Sequence, residues 1–319
     1  MALPDDLFGI IIFWMTSHCL DVIYVAACRR DSRFTRICVA SIRHFYPDVP
    51  IRILAGSPLQ PGLSQELQRH WNAWPADLPG GDWGWGFIKL EPLFGPVGER
   101  FLVLDSDTAF VGPVLDIWAD VRTRCDAHFL VDDEPQTTAD TRRLYYDWRK
   151  LRRIDPAASP PQFVFNSGQW FGTAGLLQRR DFLPLINWDL MPPRLRHRDL
   201  FMPGDQGILN YVINQRSSDA SVDAGLIVCR RRIMRWPGHG LAGISAAAIA
   251  AGRSPAQIVH WAGFKAARLA ALPGADLLRF FEARYYDRLP AGRCRRQLAA
   301  LGQPLRHWSG AWQRRLRHG

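Results

Sequence analysis

The stretch Phe101 to Phe110, FLVLDSDTAF, decides how this chain is read. Four apolar residues, Phe101 to Leu104, run straight into Asp105 and Asp107. A continuous apolar run of this length reads as a strand buried on both faces, so two carboxylates stand where that strand surfaces.

Upstream, VIYVAA (22–27) reads as a second buried strand. Phe34, Ile37, Cys38, Ile42 and Phe45 then recur at helical spacing until Pro47, and Ile51 to Leu54 reads as a third strand. A Pro-, Gly- and Trp-rich loop (75–86) leads to a short helix near Phe87 to Phe94. Downstream, Phe129 to Val131 and Phe163 to Phe165 are strand candidates, and Gly204 to Gln215 is a helix that starts near Pro203. Apolar strands alternating with helices predict an α/β fold with a mostly parallel central sheet and helices on both faces. No strong linker interrupts it, so one Rossmann-like domain is expected over residues 1–288, followed by a basic tail over 289–319. In such sheets ligands bind beyond the carboxyl ends of the strands, which is where Asp105 and Asp107 fall.

At 319 residues and 47% hydrophobic, the chain can bury a substantial core. Its six cysteines contain no CxxC pair, which argues against a zinc ribbon or disulfide framework and for a reducing compartment, the cytosol by default. The apolar run Leu7 to Met15 is too short to span a bilayer and follows Asp5 and Asp6 rather than basic residues, so it reads as no signal peptide. The formal charge of +10 comes almost wholly from arginine, since lysine occurs only at 89, 150 and 265. From Pro290 to Gly319 there are seven arginines and no acidic residue, interleaved with Trp308, Trp312 and leucines. That composition suits an interfacial segment on an anionic membrane, and equally a basic helix capping the domain. No nucleic-acid motif accompanies the charge, so no nucleic-acid partner is expected.

Carboxylates at i and i+2 of an extended segment point the same way and form a hard oxygen site suited to a divalent cation carrying a diphosphate. The same pair would also serve as an ordinary solvated turn. Three other segments offer matching parts. In IVHWAGFK (258–265), a strand-like start delivers His260, a candidate third ligand whose imidazole tilts the choice from Mg²⁺ toward Mn²⁺; Gly263 lets the backbone turn before Lys265. FVFNSGQWFGT (163–173) places the amide of Asn166 at a strand end beside Gly168. PGDQGILNYVINQ (203–215) puts Asp205 and Gln206 in the first turn of a helix, where Asp205 reads equally as an N-cap.

In this order the four segments resemble those of GT-A glycosyltransferases. LDSDT resembles their D-x-D, FNSGQWF the N-S/A-G segment, GDQGILN the D-Q-D-x-L-N motif and HWAGFK the late H-x-x-G-x-x-K element. They look most like the retaining family that holds bacterial lipopolysaccharide galactosyltransferases and glycogenin. The resemblance implies a hexosyltransferase that uses a nucleotide sugar, UDP-linked in first place. Asp105, Asp107 and His260 would hold Mn²⁺ or Mg²⁺ on its diphosphate, with Gly263 and Lys265 beside the same group. Asn166, Asp205 and Gln206 would line the sugar, and Lys89 would face the nucleotide. The basic, membrane-leaning composition of residues 290–319 suggests a glycan or lipid-linked acceptor of the cell envelope, met on the inner face of the cytoplasmic membrane. Two departures stand out: Gly207 occupies the second acidic position, and Lys265 comes one residue early. Trp83, Trp85, Trp170 and Phe171 are candidate stacking surfaces for sugar rings. An inverting reaction would need a base, for which Asp205, Asp132 and Asp133 are candidates.

A sugar-nucleotide pyrophosphorylase would need a Gly-rich cradle after its first strand, where this chain has AACRRDSRF. A phosphohydrolase would explain the carboxylates but not the other segments. A catalytically degenerate scaffold or carbohydrate-binding protein is the alternative of a different class.

Overall fold

Strands β1 (Val22–Ala27) and β4 (Arg100–Asp105) run side by side and parallel, with Ala26 in register with Asp105. They form the middle of a seven-stranded sheet ordered β10-β6-β7-β4-β1-β2-β3. In a computed structural model, residues 20–301 are described apart from 79–80, 85, 134, 219–224, 239 and 265–267. Leu7 to Met15, Trp85, Lys265 and the tail beyond Leu301 lie outside the described residues.

The FLVL run of β4 is apolar throughout because both faces of the sheet are covered. Leu102 and Leu104 enter one core cluster, shared with helix α1 (Ser32–Phe45), while Phe101 and Val103 enter another, shared with Phe129 and Trp170. All four are fully buried. At about 25 cal/mol per Å² of apolar area, two-sided burial is what fixes the sheet's centre here. α1 turns toward the first core the residues picked out by spacing: Phe34, Ile37, Cys38 and Ile42.

The β1–α1–β2 (Ile51–Ala55) unit, the short helix at Phe87–Phe94, which is 3₁₀ in form, and β6 (Phe129–Asp132) lie where the sequence puts them. Helix α2 (Leu63–Trp71) and the edge strand β3 (Ala73–Pro75) complete that side of the sheet. One strand is displaced. Phe163 to Phe165 is not a strand; β7 is Gln169–Thr173, antiparallel to both β4 and β6. The FVF backbone is bonded instead by amide side chains of helix α4 (Gln206–Ser218). Asn210 accepts from Phe165 N–H at 2.8 Å and donates to Phe165 C=O at 2.9 Å. Asn214 accepts from Phe163 N–H at 3.4 Å and donates to its C=O at 2.9 Å. Two asparagines one helical turn apart thus stand in for a neighbouring strand. The helix expected over 204–215 begins at Gln206 and ends at Ser218.

Beyond Asp107 the chain folds into β5 (Thr108–Phe110), which pairs antiparallel with β12 (Ile258–His260) in a separate sheet ordered β11-β12-β5. The remaining strands are the short pair β8 (Ile186–Asn187) and β9 (Arg194–Leu195), then β10 (Val228–Arg231) and β11 (Met234–Arg235). Helix α3 (Val114–Cys125) follows β5, and α5 (Ala275–Asp287) and α6 (Gly292–Leu301) close the described chain. The first part of the expected tail is therefore helical, and Arg295 ties it to the domain through Glu66 at 2.6 Å. Among the described residues no helix is long and apolar enough to cross a membrane.

Candidate functional site

The β5–β12 pairing sets His260 opposite Thr108, and Trp261 N–H donates to Asp107 C=O at 2.8 Å. That register brings an imidazole from far along the chain onto the carboxylate pair. His260 Nε2 faces Asp107 Oδ1 at 3.2 Å and Asp105 Oδ2 at 3.7 Å. One ligand atom from each of the three lies within 4.8 Å of the others. Asp107 and His260 are buried, and Asp105 is partly open to solvent. Both ring nitrogens of His260 are buried without a hydrogen bond, and the ring stacks on Trp236 at 5.4 Å between centroids. A buried imidazole of this kind is costly unless something else uses its lone pair. Two carboxylates and an imidazole form a donor set suited to Mn²⁺, and the three residues fit such an ion.

Lys89 occupies the floor. Its ammonium lies 3.0 Å from both Asp105 Oδ1 and Asp205 Oδ2, and donates to the backbone and side-chain oxygens of Ser167 at 3.2 and 3.3 Å. Burial alone would push its pKa down; the two carboxylates outweigh burial and hold it above the usual lysine value. For Asp205 burial is the largest influence and raises the carboxyl pKa, against the pull of Lys89. Asp205 thus faces inward to an ion pair, not to the free amides of its helix.

Glycines permit this approach. A Cβ at Gly86, whose φ is +88°, would lie 2.2 Å from Asp205 Oδ1, and one at Gly168 would lie 2.2 Å from His260 Cε1. Gly207 is explained in the same way: its Cβ would lie 2.2 Å from the Tyr145 carbonyl oxygen, so no acidic side chain fits there.

Asn166 Oδ1 accepts from Gly168 N–H at 2.8 Å, which fixes the turn above His260. The Gln206 amide accepts from Ser167 N–H at 3.3 Å and donates to Leu144 C=O at 3.0 Å, bridging two backbone segments of the site wall. Gly263 lies in the turn after β12, exposed. Among the expected stacking aromatics, Trp170 and Phe171 are fully buried core residues, Trp170 against Phe101 and Phe129 and Phe171 against Trp118. Trp83 is buried beside Leu54 and Ile88. Sequence reading missed Trp236, which lies just past a two-residue strand and carries no periodic signal.

No family model and no curated protein sequence matches this chain. Solved structures do. The galactosyltransferase LgtC, in complex with donor and acceptor sugar analogues, matches with a TM-score of 0.51 at 14% identity, over 86% of this chain and 99% of that one. The apo structure of the bifunctional glycosyltransferase WbbM matches with a TM-score of 0.51 at 14% identity, over 83% of this chain and 49% of that one. At such identities the likeness is one of fold, and that fold, with its large, mostly parallel sheet, is the GT-A fold of glycosyltransferases.

Proposed function

We propose that the protein is a metal-dependent glycosyltransferase that moves a hexose from a nucleotide sugar, a UDP-sugar in first place, to a glycan or lipid-linked acceptor of the cell envelope. The convergence of Asp105, Asp107 and His260, with a buried imidazole that makes no hydrogen bond, carries this reading. These three residues would hold Mn²⁺ or Mg²⁺. The ion would supply positive charge to a departing diphosphate, so that no protonated acid is needed.

The chain's own groups account for the rest. Lys89 stays protonated and holds the carboxylates of Asp105 and Asp205 at fixed positions, so the pocket is ordered before substrate arrives. Gln206 and Asn166 brace the wall against which the sugar would lie. Retention is the outcome the resemblance implies. Inversion requires a carboxylate able to take the acceptor proton. Asp205 is ion-paired to Lys89, Asp132 accepts from the N–H groups of Ile233 and Met234 at 2.9 and 2.8 Å, and Asp133 pairs with Arg230 at 3.4 Å. Gly207 has a steric explanation of its own in the Tyr145 carbonyl. The basic composition of residues 290–319 supports contact with an anionic membrane on the cytoplasmic side, where a lipid-linked acceptor would be met.

The test is thermal melting with UDP, GDP, CMP or dTDP, each with Mn²⁺ or EDTA, on the native chain and on Asp107→Ala. A ligand that binds only the folded state raises Tm by mass action. The expected result is a shift with UDP that requires Mn²⁺ and disappears in the variant. No shift with any nucleotide would overturn the transferase reading and restore the scaffold.

A further inference from the structure

A second concave feature lies apart from the carboxylate centre. A cavity of about 900 Å³ opens between the first turn of α1, the segment at Arg268–Ala270, and helices α5 and α6. Its size falls in the range of small-molecule sites, roughly 300 to 1,000 Å³. Five guanidinium groups line it, from Arg33, Arg268, Arg279, Arg293 and Arg296, against the carboxylates of Glu282 and Asp287.

The balance is more positive than the count suggests, because Glu282 is already used. Arg33 grips it through Nε and Nη2, and Arg296 reaches it at 4.0 Å. Arg33 Nη1 is left buried without a hydrogen bond. Arg268, Arg279 and Arg293 are exposed and form no ion pair with any described residue. Guanidinium groups left unpaired around a hollow match the oxygens of a phosphoryl group, which they bind in two-pronged fashion. An adjoining hollow of about 330 Å³ shares Asp287 and adds Arg43, Arg284 and Arg288, so the positive potential extends past the rim.

We infer that this cavity is a binding site for a phosphate- or diphosphate-bearing anion, with Arg268, Arg279 and Arg293 as its principal ligands. The phosphoryl group enters among those three and meets the buried Nη1 of Arg33 at the bottom. Either a lipid headgroup or a free phosphoryl compound presents this chemistry. The inference does not depend on the transferase reading, since none of these residues belongs to the Asp105, Asp107 and His260 centre.

The experiment is binding of inorganic pyrophosphate by calorimetry, in EDTA to silence the carboxylate centre, together with sedimentation on phosphatidic acid vesicles and phosphatidylcholine vesicles. It compares the native chain, Arg268→Gln/Arg279→Gln/Arg293→Gln, and a control that removes the same charge elsewhere, Arg69→Gln/Arg180→Gln/Arg253→Gln. Hydrogen bonds to charged groups are individually strong, so the first variant should weaken pyrophosphate by about tenfold or more while the control leaves it unchanged. If binding to phosphatidic acid falls in parallel, the ligand is a lipid headgroup; if only pyrophosphate binding falls, it is a free phosphoryl compound. Equal affinity in all three proteins, or an equal loss in the control, overturns the site. The targeted side chains are exposed and unpaired, so the melting temperature should not change.

Discussion

Lys89 and Arg279 carry the same charge in opposite settings. Lys89 is 5% exposed, with two carboxylates at 3.0 Å and two oxygens of Ser167 within 3.3 Å, whereas Arg279 is exposed on α5 with no carboxylate partner among the described residues. The difference follows from the dielectric. Moving a charge out of water costs several kcal/mol, so a buried ammonium persists only where its partners are fixed around it. An exposed guanidinium costs nothing to leave open and can wait for a ligand. One region is committed internally and the other is available.

The sharpest break of this comparison is Lys89→Met. It leaves Asp205 buried without its counter-ion, so a loss of about 3–5 kcal/mol in urea unfolding is expected. Adding Asp205→Asn should recover part of that loss; a single variant within 1 kcal/mol of native would mean that the buried network is not coupled. Next is Asp107→Ala. If the centre stabilises a departing diphosphate, transfer should fall by about 10³-fold, the scale of losing one preorganised electrostatic group. Initial rates with a UDP-sugar and Mn²⁺ read this directly, and a loss of less than tenfold would move the chemistry elsewhere.

The two regions also differed in how much the sequence disclosed. FLVL and VIYVAA announce themselves because a strand covered on both faces is apolar along its length, and IRIL because only its Arg52 turns to solvent. The D-x-D and His260 were legible as types. Their convergence was expected from the resemblance, but the pairing of β5 with β12 that produces it was not, because β5 is three residues that read only as the continuation of β4. β7 was misplaced for a physical reason: its first residue is Gln169 and its fourth Gly172, while the more strand-like FVF has its backbone satisfied by Asn210 and Asn214. Lys89 was visible as a rare lysine, but its ion pair with Asp205 needs Gly86, whose bare backbone admits the carboxylate. No local pattern announces the cavity between α1, α5 and α6, because its arginines come from four separate segments.

Glu66 lies between the two regimes, on α2 with 8% exposure, and a third prediction follows from it. Burial pushes its pKa up, but the Tyr285 hydroxyl and the guanidiniums of Arg36 and Arg295 outweigh burial and hold the carboxyl below its ordinary value of 4.5. A depressed folded-state pKa gives stability that is present above the unfolded value and lost as pH falls through the folded one. The native chain should therefore lose melting temperature below about pH 4.5. Glu66→Gln should be less stable at neutral pH by about 1–3 kcal/mol and show a flatter acid limb. Parallel limbs for the two proteins would assign acid sensitivity to other carboxylates.

Arg295→Gln completes the series with the smallest effect. It removes one of three partners of Glu66 from a side chain that is 44% exposed, so solvent screens most of the attraction. A loss of about 0.5 kcal/mol is expected, within the range of surface pairs. Arg36 and Tyr285 stay on the same carboxylate, at 2.8 and 2.6 Å, so the acid limb should flatten only slightly, less than in Glu66→Gln. A loss as large as that of Glu66→Gln would show that Arg295 docks α6 by more than its ion pair. Helix α6 would then belong to the folding unit of the domain, and the arginines it presents to the cavity would be as firmly placed as Lys89 in its 3₁₀ helix.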